Sequence, residues 1–159
     1  LTYPNNDAGG KKIYEIIKSY ASKNIKIYKS LGRKNYWGLL NLSKNPNYRI
    51  VCVGNSSSGI KETPAFGCPV VNIGTRQLGR LKGKNVIDTG YNKKEIYKAI
   101  KKGLYDEKFR NICREVKNPY GIGNAGKKIV KVLASVNLND KLLTKKMTLL
   151  GKKKDGFYI

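Results

Sequence analysis

Arg49-Ile50-Val51-Cys52-Val53, running into Gly54-Asn55-Ser56-Ser57-Ser58-Gly59, is the stretch on which the fold turns. After Arg49 the first segment is a continuous, mostly β-branched apolar run. A parallel strand covered on both faces reads this way, without polar alternation. The second segment is small, rich in hydroxyls and bracketed by glycines, so its backbone can come close to a ligand. A strand ending in such a loop is the first part of a βα unit. Ligands of open parallel sheets sit beyond the carboxyl ends of the strands, which is where this loop lies. If a helix starts there, its free N–H groups and dipole favour an anion. The competing reading is plain N-capping by serine. The loop is not a Walker loop, because the spacing differs and no Lys-Ser/Thr pair follows.

Outward from this stretch, strand and helix alternate. Leu1–Tyr3 reads as a strand end stopped by Pro4. A helix follows over Lys11–Ser22, with Ile13, Ile16, Ile17 and Tyr20 at helical spacing. Ile25–Tyr28 reads as a short strand and Asn35–Leu42 as a helix with Tyr36, Leu39 and Leu40 on its buried side. Beyond the serine loop come a helix over Ile60–Phe66, interrupted in composition by Pro64, a strand over Pro69–Ile73 and a short strand over Asn85–Ile87. Asn92–Leu104 and Lys127–Val136 read as helices, and the lysine-rich 137–159 as a weakly patterned tail. Alternation of this kind predicts βαβ units and a parallel sheet.

Two more post-strand positions carry chemistry. Glu62 follows the serine loop. A carboxylate beside a diphosphate is repelled, so Glu62 is expected to face another part of the ligand, and vicinal ribose hydroxyls can donate to its two oxygens. A glutamate in a helix's first turn is the alternative. Arg76, in the loop Asn72-Ile73-Gly74-Thr75-Arg76-Gln77-Leu78-Gly79-Arg80, suits a phosphate, although a solvated basic loop has the same composition. Gly121-Ile122-Gly123-Asn124-Ala125-Gly126 fits GxGxxG, but Asn118-Pro119-Tyr120 stands where the fingerprint needs a strand, so a turn opening the last helix is expected.

Composition removes several classes. There is no histidine, so these residues hold no Ser-His-Asp or Cys-His system. The 3 cysteines are too few and scattered for a metal cage, and buried reduced thiols are expected. Ten acidic residues against 33 basic ones give no pair of carboxylates for acid–base work. The net charge of +23 points to a polyanion, yet lysine far outnumbers arginine and no nucleic-acid motif occurs. Nucleic acid is therefore disfavoured as a partner, and a basic polyanion-binding module is the alternative from another class. No apolar run approaches the roughly 20 residues of a membrane span. No signal-peptide pattern opens the sequence, and the expected reduced thiols read as those of a cytoplasmic protein. The first residue is Leu1 rather than methionine, as in a stretch cut from a longer chain.

Pro4-Asn5-Asn6-Asp7-Ala8-Gly9, the segment Val53–Glu62, the segment Ala65–Arg80 and Asn118-Pro119-Tyr120-Gly121-Ile122-Gly123-Asn124-Ala125 together resemble the hydrolysing UDP-N-acetylglucosamine 2-epimerases. Non-hydrolysing relatives carry an aspartate-containing loop where Asn55 stands and lack the Thr75-Arg76-Gln77 pattern. The resemblance implies an α/β fold: a Rossmann-like parallel sheet flanked by helices, the C-terminal half of a glycosyltransferase-B-like two-domain fold, truncated at its N-terminus. It implies a partial UDP-binding domain over 1–136 and a basic tail over 137–159. Ser56 and Ser57 match diphosphate-binding serines, Glu62 a ribose-binding glutamate, Arg76 an arginine near the phosphates, and Asn5 and Asp7 a polar loop at the sugar end. Ile122 stands where the family often has aspartate.

The implied reaction converts UDP-N-acetylglucosamine to N-acetylmannosamine and UDP by elimination and hydration, in sialic-acid-type biosynthesis, with no cofactor or metal. UDP-diacetylbacillosamine, a precursor of legionaminic-type sugars, is the alternative substrate. The acid–base groups are expected in the N-terminal half of the same enzyme, so these residues alone are expected to be inactive. A homo-oligomer is also expected.

Overall fold

The computed structural model describes residues 1–4, 8–144, 153–154 and 157–158. Two compact units form, Leu1–Tyr120 and Gly121–Ile159.

The first unit is built on a three-stranded parallel sheet, β1 (Cys52–Gly54), β2 (Val70–Ile73) and β3 (Val86–Thr89), in that spatial order. Cys52 pairs with Val70 and Val70 with Val86, so the strands start level with one another. The expected parallel sheet is present. Its strands are shifted late relative to the sequence reading: Arg49–Val51 lead into β1 and Asn85 into β3 without entering the ladder.

Helices flank the sheet. α1 (Gly10–Ser19) and α2 (Gly32–Asn41) precede β1, and α3 (Ser58–Lys61) follows it. The long α4 (Lys93–Tyr105) and α5 (Glu107–Arg114) close the unit. Side chains start both: Asn92 accepts from the N–H of Lys94 at 2.9 Å, and Asp106 from that of Phe109 at 3.0 Å. Gly103 lets α4 lie tight on the sheet, because a Cβ there would sit 2.9 Å from Val51 Cγ2 and 3.4 Å from Pro69 Cβ. Ile60, Cys68, Val70, Val71, Ala99, Phe109 and Cys113 make the core.

Four expectations need correction. The helix read over Ile60–Phe66 is one turn of α3 followed by a 3-10 turn over Thr63–Phe66. Pro64 has no N–H for the carbonyl of Ile60, so the α ladder cannot continue. Ile25–Tyr28 is not a strand. It makes isolated bridges, parallel from Thr2 to Tyr28 and antiparallel from Ser22 to Ile25, because neither partner extends the pairing. Within α2, Leu40 is buried at 3% but Leu39 is exposed at 47%, since only one side of the helix is covered. α1 ends at Ser19 and buries none of its residues despite its apolar stripe.

The second unit contains α6 (Ala125–Ser135), α7 (Asp140–Leu143) and an antiparallel pair, β4 (Lys153–Lys154) with β5 (Phe157–Tyr158). Gly121 and Gly123 adopt positive φ ahead of α6, so the GxGxxG match is a turn opening a helix, with no strand before it. None of the residues of α6 is buried. The tail read as weakly patterned thus holds α7, which Asn139 caps by accepting from the N–H of Leu142 at 3.2 Å.

Candidate functional site

At the carboxyl end of β1 the chain turns at Gly54 and enters the serine loop. The loop is folded on its own hydroxyls. Ser56 Oγ lies 3.0 Å from Ser58 Oγ and accepts from the N–H of Ser58 at 3.4 Å. Ser57 stands at the N-cap of α3 but makes no side-chain cap, so the capping alternative does not describe it. α3 has only four residues. The helix dipole expected behind the loop is correspondingly short, and the loop's own N–H and O–H groups are its main donors.

A cleft of about 780 Å³ opens beside this loop. Ser56, Ser58 and Glu62 line it together with Thr2–Pro4, Lys29–Arg33 and the aromatic pair Tyr36 and Trp37. Two expected site residues, Ser56 and Glu62, therefore share one cavity. Ser57 and Arg76 are not among its walls. Arg76 instead directs Nη1 to the carbonyl of Asn55 at 3.4 Å. Asn5 and Asp7 lie outside the described residues. Among the described residues Glu62 is the one acidic group in the lining, while Lys29 and Arg33 bring cations to it.

α2 grips the site by two neighbouring aromatic side chains. The Tyr36 hydroxyl lies 3.2 Å from Ser58 Oγ and 3.9 Å from Cys52 Sγ. Burial, then the nearby Cys52 thiol, push the phenol well above its ordinary range, so it stays protonated. The Trp37 indole N–H donates to Glu62 Oε2. Arg33 lies over the Trp37 ring, 5.4 Å from its centroid. Lys29, Arg33, Tyr36 and Trp37 were not singled out as site residues from the sequence, and Ser58 entered only as part of the serine loop. Their signal was weak, because a pair of aromatics on a predicted helix reads first as core.

A second set of polar groups lies beneath the loops. Gln77 is 2% exposed and donates from Nε2 to the carbonyl of Asn55 at 2.7 Å. Asn85, fully buried, donates to Thr63 Oγ1 at 2.9 Å and to the carbonyl of Cys68 at 2.7 Å. Thr63 Oγ1 in turn donates to the carbonyl of Gly59 at 2.6 Å. Asn72 Nδ2 donates to Asp88 Oδ1 at 2.7 Å, and Lys82 holds both oxygens of Asp88 at 2.8 Å. Burial works to raise the Asp88 carboxyl, but these donors outweigh it and hold it below the usual carboxylate range.

The thiols are free. Burial pushes Cys68 and Cys113 up to about 12 and raises Cys52 as well, which makes all three poor nucleophiles at neutral pH. Among the described residues no group of acids, cysteines or histidines is arranged to hold a metal ion. None of the described helices is long and apolar enough to cross a membrane.

A family model described as UDP-N-acetylglucosamine 2-epimerase matches residues 1–134. A GDP/UDP-N,N'-diacetylbacillosamine 2-epimerase (hydrolyzing) from Campylobacter jejuni is 39% identical over 143 residues, 87% of this chain and 35% of that protein. A UDP-N-acetylglucosamine 2-epimerase from Neisseria meningitidis is 37% identical over 107 residues, 67% of this chain and 27% of that protein. A UDP-N,N'-diacetylbacillosamine 2-epimerase (hydrolyzing) from Legionella pneumophila is 33% identical over 143 residues, 89% of this chain and 35% of that protein. The chain thus spans about a third of the length of these curated relatives.

Proposed function

Since this chain belongs to the UDP-N-acetylglucosamine 2-epimerase family, we propose that its cleft binds the UDP moiety of a sugar nucleotide for a hydrolysing 2-epimerase. One observation carries the reading: Ser56, Ser58 and Glu62 line a single cavity at the carboxyl end of a parallel strand. The serine hydroxyls, that of Ser57 included, and the loop N–H groups suit the diphosphate, and Arg76, bonded to the Asn55 carbonyl of the same loop, is assigned to the phosphates. Glu62 suits the ribose diol, because a carboxylate accepts from two hydroxyls and repels phosphate. Asn5 and Asp7 belong to the sugar end.

In the reaction proposed for the whole protein, UDP leaves as a proton is lost from C2. Water then adds to the unsaturated intermediate with inverted configuration at C2. Glu62 is the one acid that lines the cleft among the described residues, and the acid–base groups are assigned to an N-terminal half of the same enzyme. The residues described here hold the leaving group. UDP-N-acetylglucosamine is the substrate by family description, with the product entering sialic-acid-type biosynthesis. The second reading, UDP-diacetylbacillosamine, is favoured by the identity to the Campylobacter jejuni protein. A cytoplasmic homo-oligomer completes the proposal.

Calorimetry with UDP tests it. Glu62→Ala should weaken UDP binding by about 2 kcal/mol, the size of a lost hydrogen bond to a charged acceptor. Unchanged affinity removes Glu62 from the ribose site.

A further inference from the structure

The geometry points to Trp37 as a positioning residue that sets the Glu62 carboxylate for its ligand. The inference rests on the reading of Glu62 as the ribose acceptor and adds a residue to it. Glutamate is a long side chain with several rotamers, and a carboxylate that must meet two hydroxyls loses that freedom on binding. The Trp37 N–H holds Oε2. Indole is a donor only, so it never competes with the carboxylate for the ligand's hydroxyl donors. A carboxylate oxygen has two acceptor positions. Oε1 and the second position of Oε2 remain for hydroxyls.

Trp37 is itself held in place. Arg33 lies over its ring, and the Phe66 ring stands 6.1 Å away at a 47° tilt. Its neighbour Tyr36 bonds Ser58. One turn of α2 therefore fixes both the hydroxyl end and the carboxylate end of the cleft. A tryptophan serving only as core is expected to be buried, whereas Trp37 is 40% exposed and lines the cavity.

The test compares UDP with 2′,3′-dideoxy-UDP in the full chain, by calorimetry and by emission of Trp37, the one tryptophan among the 159 residues. Trp37→Phe keeps a ring and removes the donor. It should weaken UDP about five- to tenfold, leave dideoxy-UDP unchanged, and add nothing in a Trp37→Phe, Glu62→Gln double variant. UDP should shift the wild-type emission more than dideoxy-UDP does, a readout independent of whether the variant folds. The proposal is overturned if Trp37→Phe binds UDP like wild type, if it weakens both probes alike, or if both probes shift the emission equally. Glu62→Gln weakening UDP while Trp37→Phe does not would remove Trp37 and keep the ribose reading. Wild type that binds both probes equally, or neither, removes both.

Discussion

Two populations of polar side chains occupy the same end of the sheet, and they behave oppositely. Ser56, Ser58, Glu62 and Arg76 form a rim that faces a cleft or solvent. Thr63, Asn72, Gln77 and Asn85 form a seam beneath it, each at most 2% exposed. The seam spends its hydrogen bonds on backbone carbonyls and on neighbouring strands and turns. The rim serines and Glu62 bond mainly other side chains of the open cleft wall, Tyr36 and Trp37 among them. A buried polar group that lost its partner would carry the full desolvation cost, so the seam holds the loops in one arrangement. The difference teaches that binding and folding are carried here by separate residues of the same loops.

The comparison can be broken from the seam side first. Asn85→Ala removes both of its bonds and leaves a void among buried groups, and should lower unfolding stability by about 3 kcal/mol. Urea denaturation measures it, and a loss below about 1 kcal/mol would mean the seam is dispensable. Gln77→Ala is the intermediate case. Losing the Nε2 bond to the Asn55 carbonyl and the volume of a buried side chain should cost about 2 kcal/mol of stability. UDP affinity should fall with it because the serine loop loosens, and unchanged UDP affinity would uncouple seam from rim.

The smallest effect concerns the Lys82–Asp88 pair at the edge of the seam. The Asp88 carboxyl is lower in the folded state than in the unfolded chain. Its contribution is present above the unfolded carboxylate range and is lost as pH falls through the folded value. Lys82→Met should therefore lower stability by about 0.5 kcal/mol at pH 7, since half of the Asp88 side chain is exposed. The difference from wild type should vanish in acid, and thermal melts across pH would show it. A difference that persists in acid would assign the effect to packing.

The rim was more legible in the sequence than the seam. The run Ile50–Val53 and the glycine-flanked serines mark a strand and a post-strand loop by composition alone, and Glu62 follows at a short fixed distance. Ser56 and Glu62 line one cleft. Gln77 and Asn85 carry no such mark. Gln77 falls in a loop whose composition also reads as solvated, and Asn85 heads the predicted strand Asn85–Ile87 with nothing to mark its side chain as buried; the approach of neighbouring elements buries both. The link from Trp37 to Glu62 was hidden for the same reason, because it depends on where α2 docks. Pro64 was visible, and the break it causes in the helix follows directly from its missing N–H. The bridges at Tyr28 and Ser22 were not, because alternation in Ile25–Tyr28 says nothing of how far a partner strand extends.

Gly67, at the turn into β2, has φ of +62°, and a Cβ there would sit 2.9 Å from the α-carbon of Arg114. The start of a central strand is thus pressed against the end of α5, far along the chain. Long-range closures of this kind form late, after the entropy of the intervening loop has been overcome. During synthesis β1 and β2 leave the ribosome well before the helix that seats them. The nascent sheet must wait for α5, and until then its apolar strands are exposed to whatever else in the cell binds unfinished protein.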